Sequence, residues 1–509
     1  MDKDFMVEGF SNGFSLGVQE NCPLSKTEVR LRPANTALLA KLKEEQKHNR
    51  IIGPFAIPPL HDMIISPLYV IPKPCGTKHR LIFNLSSPQG NSVNDFIKEE
   101  NKSVHYCSVE DVAKSMVARQ PVGNVWLAKV DLADAYRIVP IRTQDWKFLG
   151  ICVQGEFYID RMLPMGASSS CNIFQRISDG IKSMFHNVYR EDADVFNYLD
   201  DFLFMASSRE ACDAALIAFE DFCLRVGIPM AAHKTVRATQ RLVFLGLGID
   251  SQRRTLFIPA EKRVKVQEKL NTFLRLQAPR VKLWQSIAGS LNYLAQVVRA
   301  GRTYLSSVYG GLAGVLSQSK NKRRRVSEEV KEDLGVWCAL LEAPPEKPYD
   351  IVLADSSSFP PLITDASTSV GFGGIWGDQW FYGSWPQVAV PNIAVLELFP
   401  IVIALLMLQE CVANCSIRVF TDNMALVSVI NKLYSKDPAL RKMLRHIAKF
   451  CLNRNIHITA FHVKGVDNIG PDLLSRGKIE KFRLTFPAMR PDPIAIPHHL
   501  DPINSGFIT

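Results

Sequence analysis

Apolar residues fall in short runs broken by turn residues from Ile51 to about residue 258, recur at helical spacing over 260–345, and return to short runs after 359. The first region predicts strands at Leu68–Lys73 and Arg80–Leu85, joined by the turn Pro74-Cys75-Gly76-Thr77, and at Val125–Val130 and Glu156–Leu163. A helix over Ser168–Phe185 follows, then a hairpin of Asp194–Tyr198 and Phe202–Met205, a helix over Arg209–Val226, a strand Leu242–Ile249 and a short partner Leu256–Ile258. Four helices are expected next, Ala260–Leu276, Val281–Val298, Thr303–Ser317 and Val326–Leu341, ended by the proline cluster Pro344–Pro348. Beyond it the pattern predicts strands Leu362–Asp365, Gly371–Trp376 and Gln379–Ser384, a long helix Ile393–Glu410, strands Ile417–Thr421 and Ile456–Val463, and a helix from Pro471. Three hairpin-connected strands followed by alternating helix and strand mark a separate α/β domain. Residues 1–50 offer a Gly/Ser/Asn-rich start and a helix Ala37–Lys47 with a solvated face, and 477–509 are Pro-rich with little expected order.

Acids interrupt this pattern at element ends. Asp200 and Asp201 sit at the tip of the hairpin, and Asp131 ends an apolar strand. Neighbouring carboxylates repel and cannot both be buried unpaired, but their oxygens are the hard ligands that Mg²⁺ prefers. Two strand ends carrying three acids can hold two ions ~4 Å apart for in-line phosphoryl transfer; alone, an Asp-Asp tip is most often a solvated turn. After the linker, Asp365 and Asp422 end strands, Asp472 opens the last helix, and Glu397 interrupts the most apolar helix, where a lone carboxylate is costly without a cation. Lys73 and Arg80 project from their hairpin either as an exposed basic surface or as triphosphate ligands.

Composition narrows the class. At 509 residues the chain suggests two to four domains. A net charge of +10 with pI near 9.0 suits a polyanion such as nucleic acid. Eleven cysteines scattered through apolar segments read as reduced thiols of an intracellular protein, in cytoplasm or nucleus. The longest apolar run, Ala394–Leu408, carries Glu397 and Pro400 and falls short of the ~20 residues of a span, so no membrane association is expected. The start Met1-Asp2-Lys3-Asp4 lacks the order of a secretory signal. The run Lys320–Arg325 fits a solvated loop, a nucleic-acid contact or a nuclear-import patch.

Asp131 with Asp134-Ala135-Tyr136, Leu163-Pro164-Met165-Gly166, Phe174-Gln175, Tyr198-Leu199-Asp200-Asp201, His233-Lys234-Thr235 and Phe244-Leu245-Gly246 occur in the order of the reverse transcriptase palm, which this region resembles. Gly53-Pro54-Phe55, Ser66-Pro67-Leu68, Pro72-Lys73, Arg80-Leu81-Ile82, Leu85-Ser86 and Ser92-Val93-Asn94-Asp95 resemble the fingers of DIRS-type retrotransposons, LTR-like elements that encode a tyrosine recombinase. Asp365-Ala366-Ser367, Leu396-Glu397-Leu398, Thr421-Asp422-Asn423 and His462-x5-Asn468-x3-Asp472 resemble RNase H.

The resemblance implies an α+β, multidomain fold: a right-hand polymerase of fingers, palm and thumb followed by an RNase H-like α/β domain. Its boundaries would be an extension at 1–50, fingers and palm at 51–258, a helical thumb or connection at 259–342, a linker at 343–358, RNase H at 359–476 and a tail at 477–509. It implies an RNA-directed DNA polymerase with tethered RNase H, with two Mg²⁺ (Mn²⁺ being an alternative) at each site, held by Asp131, Asp200 and Asp201 and by Asp365, Glu397, Asp422 and Asp472. Lys73 and Arg80 would meet the triphosphate end of a dNTP, Tyr136 would lie under its sugar, and Met165, Gly166, Tyr198 and Lys234 would be further substrate-binding residues. Met165 departs from the Gln of retroviral enzymes. Phe244, Leu245 and Gly246 would grip the primer, and His462 would assist product release, although a strand-end surface histidine fits its position equally. The implied partners are RNA template, DNA primer, RNA-DNA hybrid, an element-encoded tyrosine recombinase and a Gag-like protein. The alternatives are an inactive nucleic-acid-binding relative and an RNA-templated RNA polymerase, against which Tyr136 and the second acid set both speak.

Overall fold

The computed structural model describes residues 2–19, 22, 24, 35–72, 79–119, 124–189, 192–313, 322–342, 349–350, 359–386, 392–408, 411–500 and 502. Lys73, the turn Pro74–Thr77, residues 320–321 of the basic run, Glu410 and the proline cluster of the linker lie outside the described residues. The chain divides into two compact units, Met1–Gln240 and Arg241–Thr509.

In chain order the first unit contains α1 (Lys3–Asn12), α2 (Thr36–Lys47), β1 (Ile51–Phe55), β2 (Leu68–Pro72), β3 (His79–Phe83), α3 (Val109–Arg119), β4 (Trp126–Asp131), β5 (Gly150–Val153) and β6 (Glu156–Asp160). It continues with α4 (Ser170–Val188), β7 (Ala193–Tyr198), β8 (Asp201–Ala206), α5 (Arg209–Val226) and β9 (Val236–Thr239). The central antiparallel sheet runs β7-β8-β4-β9. Alternate residues of β7 are buried, whereas β8 is buried from Phe202 to Ala206, as expected for an inner strand covered by helices. Phe185 of α4, Phe219 and Phe222 of α5 and Phe202 and Phe204 of β8 form one aromatic cluster with centroids 4.9–6.2 Å apart. Asn35 caps α2, its side chain accepting from Leu38 N, and Ser208 caps α5 in the same way through Ala211 N.

Residues 2–19, whose composition predicts little, are built into this unit. Phe14, Leu16 and Val18 are buried, Phe14 bridges Ile141, and Leu16 N donates to Asp145 Oδ2 at 2.7 Å. Strands β1, β5 and β6, of which only β6 follows from the sequence pattern, form a second sheet in the order β1-β6-β5.

The second unit opens with β10 (Arg241–Phe244), β11 (Leu247–Asp250) and β12 (Thr255–Phe257). The single strand expected over Leu242–Ile249 is thus a tight hairpin. Leu245 and Gly246 both take positive φ, 49° and 71°, the geometry of a two-residue turn, and the apolar character of Leu245 conceals it in the sequence. Helices α6 (Ala260–Leu274), α7 (Val281–Leu294), α8 (Ser306–Leu312) and α9 (Glu328–Glu342) follow; a 3₁₀ stretch, Arg299–Leu305, replaces the start of the third expected helix. A two-residue strand, β13 (Tyr349–Asp350), pairs with β12 inside the stretch expected as linker.

The remaining elements are β14 (Leu362–Ala366), β15 (Gly371–Trp376), β16 (Gln379–Ser384), α10 (Ile393–Met407), β17 (Ser416–Thr421), α11 (Met424–Lys432), α12 (Pro438–Arg454), β18 (His457–His462), α13 (Ile469–Ser475) and α14 (Ile479–Thr485). Their sheet has the order β16-β15-β14-β17-β18, antiparallel through β14 and parallel beyond it. α12 also packs on the preceding helices: Arg445 Nη2 lies 2.8 Å from Glu329 and 3.0 Å from the buried Asp333 of α9. The fold is α+β and multidomain, as expected.

The Pro-rich tail is ordered over residues 477–500, contrary to expectation. Phe482 of α14 is fully buried with its ring 5.0 Å from Trp380, whose indole N–H donates to Arg490 O at 2.8 Å and whose carbonyl accepts from Ile494 N at 2.8 Å. The tail thereby covers the edge strand β16, which would otherwise expose a free row of backbone groups. Truncating Phe482 to Ala should cost about 3–5 kcal/mol, read as a lower denaturation midpoint together with faster proteolysis after residue 477; unchanged protection would mean that the tail is not held by this ring.

Candidate active sites

In the first unit the register of β4 with β8 sets Asp131 opposite Asp201, and that of β7 with β8 sets Tyr198 opposite Asp201, leaving Leu199 and Asp200 as the turn. Leu199 takes φ 52°, a left-handed conformation that costs a non-glycine residue about 1 kcal/mol. Helix α4 holds it there. Gln175 Oε1 accepts from Leu199 N at 2.9 Å and Ser178 Oγ donates to Leu199 O at 2.7 Å, both side chains being buried. Leu132 N donates to Asp200 O and Ala231 N to Asp131 O, each at 2.8 Å, so backbone bonds fix both acids.

Burial, and then Asp131, push the Asp200 carboxyl above its ordinary range; burial, partly offset by Lys129, does the same for Asp201. Cations stand against the cluster: Lys234 Nζ is 2.7 Å from Asp131 Oδ1 and Lys129 Nζ is 3.6 Å from Asp201 Oδ1. Asp131 and Asp200 line a cleft of about 1250 Å³, to which Arg80, Tyr136, Met165 and Lys234 also contribute. Arg80 is exposed on β3, and Met165 is an exposed apolar side chain. Gly166 meets Phe83 O so closely that a Cβ would fall 1.6 Å from it, which excludes any other residue. Tyr136 stacks on Phe174 at 5.1 Å with its hydroxyl 3.4 Å from Cys171 Sγ, and the Tyr198 ring lies 4.5 Å from that of Tyr106.

Phe244, Leu245 and Gly246 form the β10–β11 turn of the second unit. Lys262 of α6 donates to Gly246 O at 3.1 Å and lies 3.8 Å from the Tyr293 ring centroid, and burial holds its amine below the ordinary value.

The second acid cluster is tighter. Ligand atoms of Asp365, Glu397 and Asp422 all lie within 4.8 Å of one another, and among the described residues this is the one trio so placed. Asp365 is the last residue but one of β14, beside the parallel strand β17, after which Asp422 follows, and α10 supplies Glu397. Burial, and then Asp365 and Asp422, push the Glu397 carboxyl up to about 8. Glu397 Oε2 is buried without a hydrogen-bond partner among the described residues, as is Asn468 Oδ1. Three convergent oxygens, one an orphan, suit a divalent cation better than any arrangement of protein groups alone. Ser475 Oγ donates to Asp365 Oδ2 at 2.5 Å and Asn468 Nδ2 to Asp365 Oδ1 at 3.3 Å. Asp472 is not one of the trio but its charge adds to the upward push on the Asp365 carboxyl, and it lies 2.7 Å from Arg476 Nε. His462 is exposed at the end of β18, opposite Thr421.

Sequence reasoning missed Ser475 and Ser178 as supports and saw Gln175 and Asn468 only as motif members. Their roles rest on partners far away in the chain, and the accessible signal was a buried polar residue on an apolar helix face.

Among known proteins, the family model for reverse transcriptase (RNA-dependent DNA polymerase) matches residues 71–249. A putative enzymatic polyprotein of Cassava vein mosaic virus is 22% identical over 206 residues, 40% of this chain and 29% of that protein. Protein P of Woodchuck hepatitis B virus (isolate 59) is 29% identical over 157 residues, 30% of this chain and 17% of that protein. The matched stretches thus span under a third of these curated relatives. The solved foamy viral protease-reverse transcriptase in complex with dsDNA aligns over 88% of this chain and 87% of that one, at 15% identity and a TM-score of 0.48. No helix among the described residues is long and apolar enough to cross a membrane.

An acid whose folded pKa exceeds its unfolded one adds stability that is full below the unfolded value and lost as pH rises through the folded one. Without divalent ions, the unfolding midpoint of the second unit should therefore fall as pH rises from about 4.5 to about 8, the ordinary and the folded values of Glu397. Millimolar Mg²⁺ should restore it more at the upper end, because a cation favours the ionised form. Scanning calorimetry of Glu397→Gln should show both effects flattened; an Mg²⁺ response equal to that of the unaltered protein would remove Glu397 from the ligand set.

Proposed function

We propose that this chain copies RNA into DNA and degrades the RNA strand of the resulting hybrid, as the replication enzyme of a retroelement. The observation that supports this reading most strongly is the presence of two separate acid clusters at strand ends, one of them within a segment that matches the reverse transcriptase family. In the cleft, Asp131, Asp200 and Asp201 would hold divalent ions, Mg²⁺ or Mn²⁺, while Arg80 and Lys234 bring positive charge to a nucleoside triphosphate. When bound, the ions at either cluster supply charge neutralisation at the attacking and leaving oxygens of phosphoryl transfer. Tyr136, its ring fixed against Phe174, fills the space under the sugar and selects deoxynucleotides by clash with a 2′-hydroxyl. Met165, Gly166 and Tyr198 shape the base and ribose side, and Phe244–Gly246 hold the primer end. In the second unit Asp365, Glu397 and Asp422 form the nuclease centre, with Asp472 and His462 at its margin. Lys73 completes the triphosphate contacts by resemblance, since it lies outside the described residues.

The finer reading places the element in the DIRS-type group, on the finger motifs between Gly53 and Asp95. A tyrosine recombinase and a Gag-like protein would then be its partners, and cytoplasm or nucleus its location.

Three substitutions test the assignment. Asp200→Ala should lower primer extension on an RNA template at least ~10²-fold while RNA cleavage in a hybrid persists. Asp365→Asn should do the reverse under single-turnover conditions with enzyme in excess; extension lost with cleavage intact would invert the two sites. Tyr136→Ala should raise ribonucleotide incorporation while deoxynucleotide use falls less, and an unchanged sugar preference would make Tyr136 a packing residue.

A further inference from the structure

Tyr136 stands on a single 3₁₀ turn, Ala135–Ile138, that has few backbone bonds of its own. The turn begins after Asp134, itself at φ 53°, and is closed by Arg137 N donating to Asp134 O at 2.6 Å and by a long bond of 3.4 Å from Val139 N to Tyr136 O. Side chains supply the remaining anchorage. Arg137 makes a two-pronged pair with Asp160 of β6, both bonds at 2.9 Å, and its Nε donates to Glu45 of α2 at 3.0 Å. Glu45 and Asp160 are 2% and 1% exposed, so the guanidinium is enclosed by two buried carboxylates. Lys41 Nζ adds a contact of 3.1 Å to Glu45. On the other flank of the turn, Arg50 Nη2 holds Asp134 Oδ2 at 2.8 Å. Burial pushes the Glu45 carboxyl up, but Arg137 and Lys41 more than offset it and keep it ionised.

A buried cluster of this kind is weak as a source of stability and strong as a source of geometry, because a forked guanidinium accepts few orientations. Its elements come from outside the acid-bearing sheet: α2 lies in the stretch whose sequence predicts only a solvated helix, and β6 belongs to the second sheet of the unit. Both Arg137 and Glu45 reach the wall of the cleft that holds the acids.

We infer that the Glu45–Arg137–Asp160 cluster is a positioning device for Tyr136, setting the height of its ring and hence the discrimination between deoxyribose and ribose. This rests on the polymerase reading above. The residues act through Tyr136 and touch no reacting atom. A displacement of the ring by a fraction of an ångström relaxes a steric filter while leaving the acids, which are fixed by other bonds, in place.

The test is the ratio of kcat/KM for a deoxynucleotide to that for the matching ribonucleotide, measured on the full chain for Glu45→Gln and Arg137→Lys. Both variants keep a hydrogen-bonding group in the pocket and are expected to fold. The ratio should fall about 3- to 10-fold, with KM for the deoxynucleotide rising more than kcat falls. A purely structural role lowers the active fraction, which changes both sugars alike and leaves the ratio untouched. In a Tyr136→Ala background Glu45→Gln should add nothing, because the part through which it acts has gone. Lys147→Ala, which breaks the ion pair with Asp62 elsewhere in the unit, should leave the ratio at its original value. Extension with an unchanged ratio in both variants overturns the inference alone, as does an effect that persists in the Tyr136→Ala background. A chain that does not extend primers at all removes the inference together with the polymerase reading.

Discussion

Mutual repulsion of carboxylates held at strand ends is the constraint to which most of the described structure answers. Each acid is placed by backbone rather than by its own side-chain preference: Asp131 and Asp201 by strand register, Asp200 by a two-residue turn, Asp365 and Asp422 by following neighbouring parallel strands to the same end. A register slip of one residue would turn Asp131 and Asp201 to opposite faces. The apolar interior therefore does more than stabilise. The cluster of Phe185, Phe202, Phe204 and Phe219 makes β8 an inner strand whose register has no alternative, and the acids inherit that precision.

Backbone strain is met, among other turns, at a place where this precision is needed. Leu199 could be relieved by glycine, yet a glycine turn would also be looser in solution; Gln175 and Ser178 make the strained form the bonded one. Gly166 answers the opposite demand, since its missing side chain lets the Pro164–Ala167 turn lie directly on the carbonyl of Phe83. At Gly246 the two demands meet, a positive φ and a carbonyl presented to Lys262.

What the sequence disclosed follows the range of the interactions involved. Acids at strand ends or within an apolar helix are local patterns, and Asp131, Asp200, Asp201, Asp365 and Asp422 were legible as the first kind and Glu397 as the second. The β10–β11 turn was not, because Leu245 in a left-handed conformation has no signature in hydrophobic spacing. The order of residues 479–500 was hidden by their prolines, since its cause is Trp380, about a hundred positions earlier. Ser475 and the Glu45–Arg137–Asp160 cluster share that difficulty: each residue reads as an ordinary polar position until the fold supplies its partner. Asp472, a motif acid, pairs with Arg476 while its charge still acts on Asp365.

The two acid clusters meet the same repulsion by different means, with different consequences for cation binding. Lys234 and Lys129 stand within 4 Å of Asp131 and Asp201, so part of the negative charge there is already balanced by protein cations that a metal must displace or share. The groups that shift the Glu397 carboxyl are acids rather than cations, and, pushed up to about 8, it carries a proton at neutral pH. A metal arriving at the second cluster thus competes with protons, whereas at the first it competes substantially with ammonium groups on flexible stems. Proton release on binding should weigh more heavily at the second cluster. The pH dependence of metal affinity then becomes a property that separates two sites whose ligands are otherwise alike.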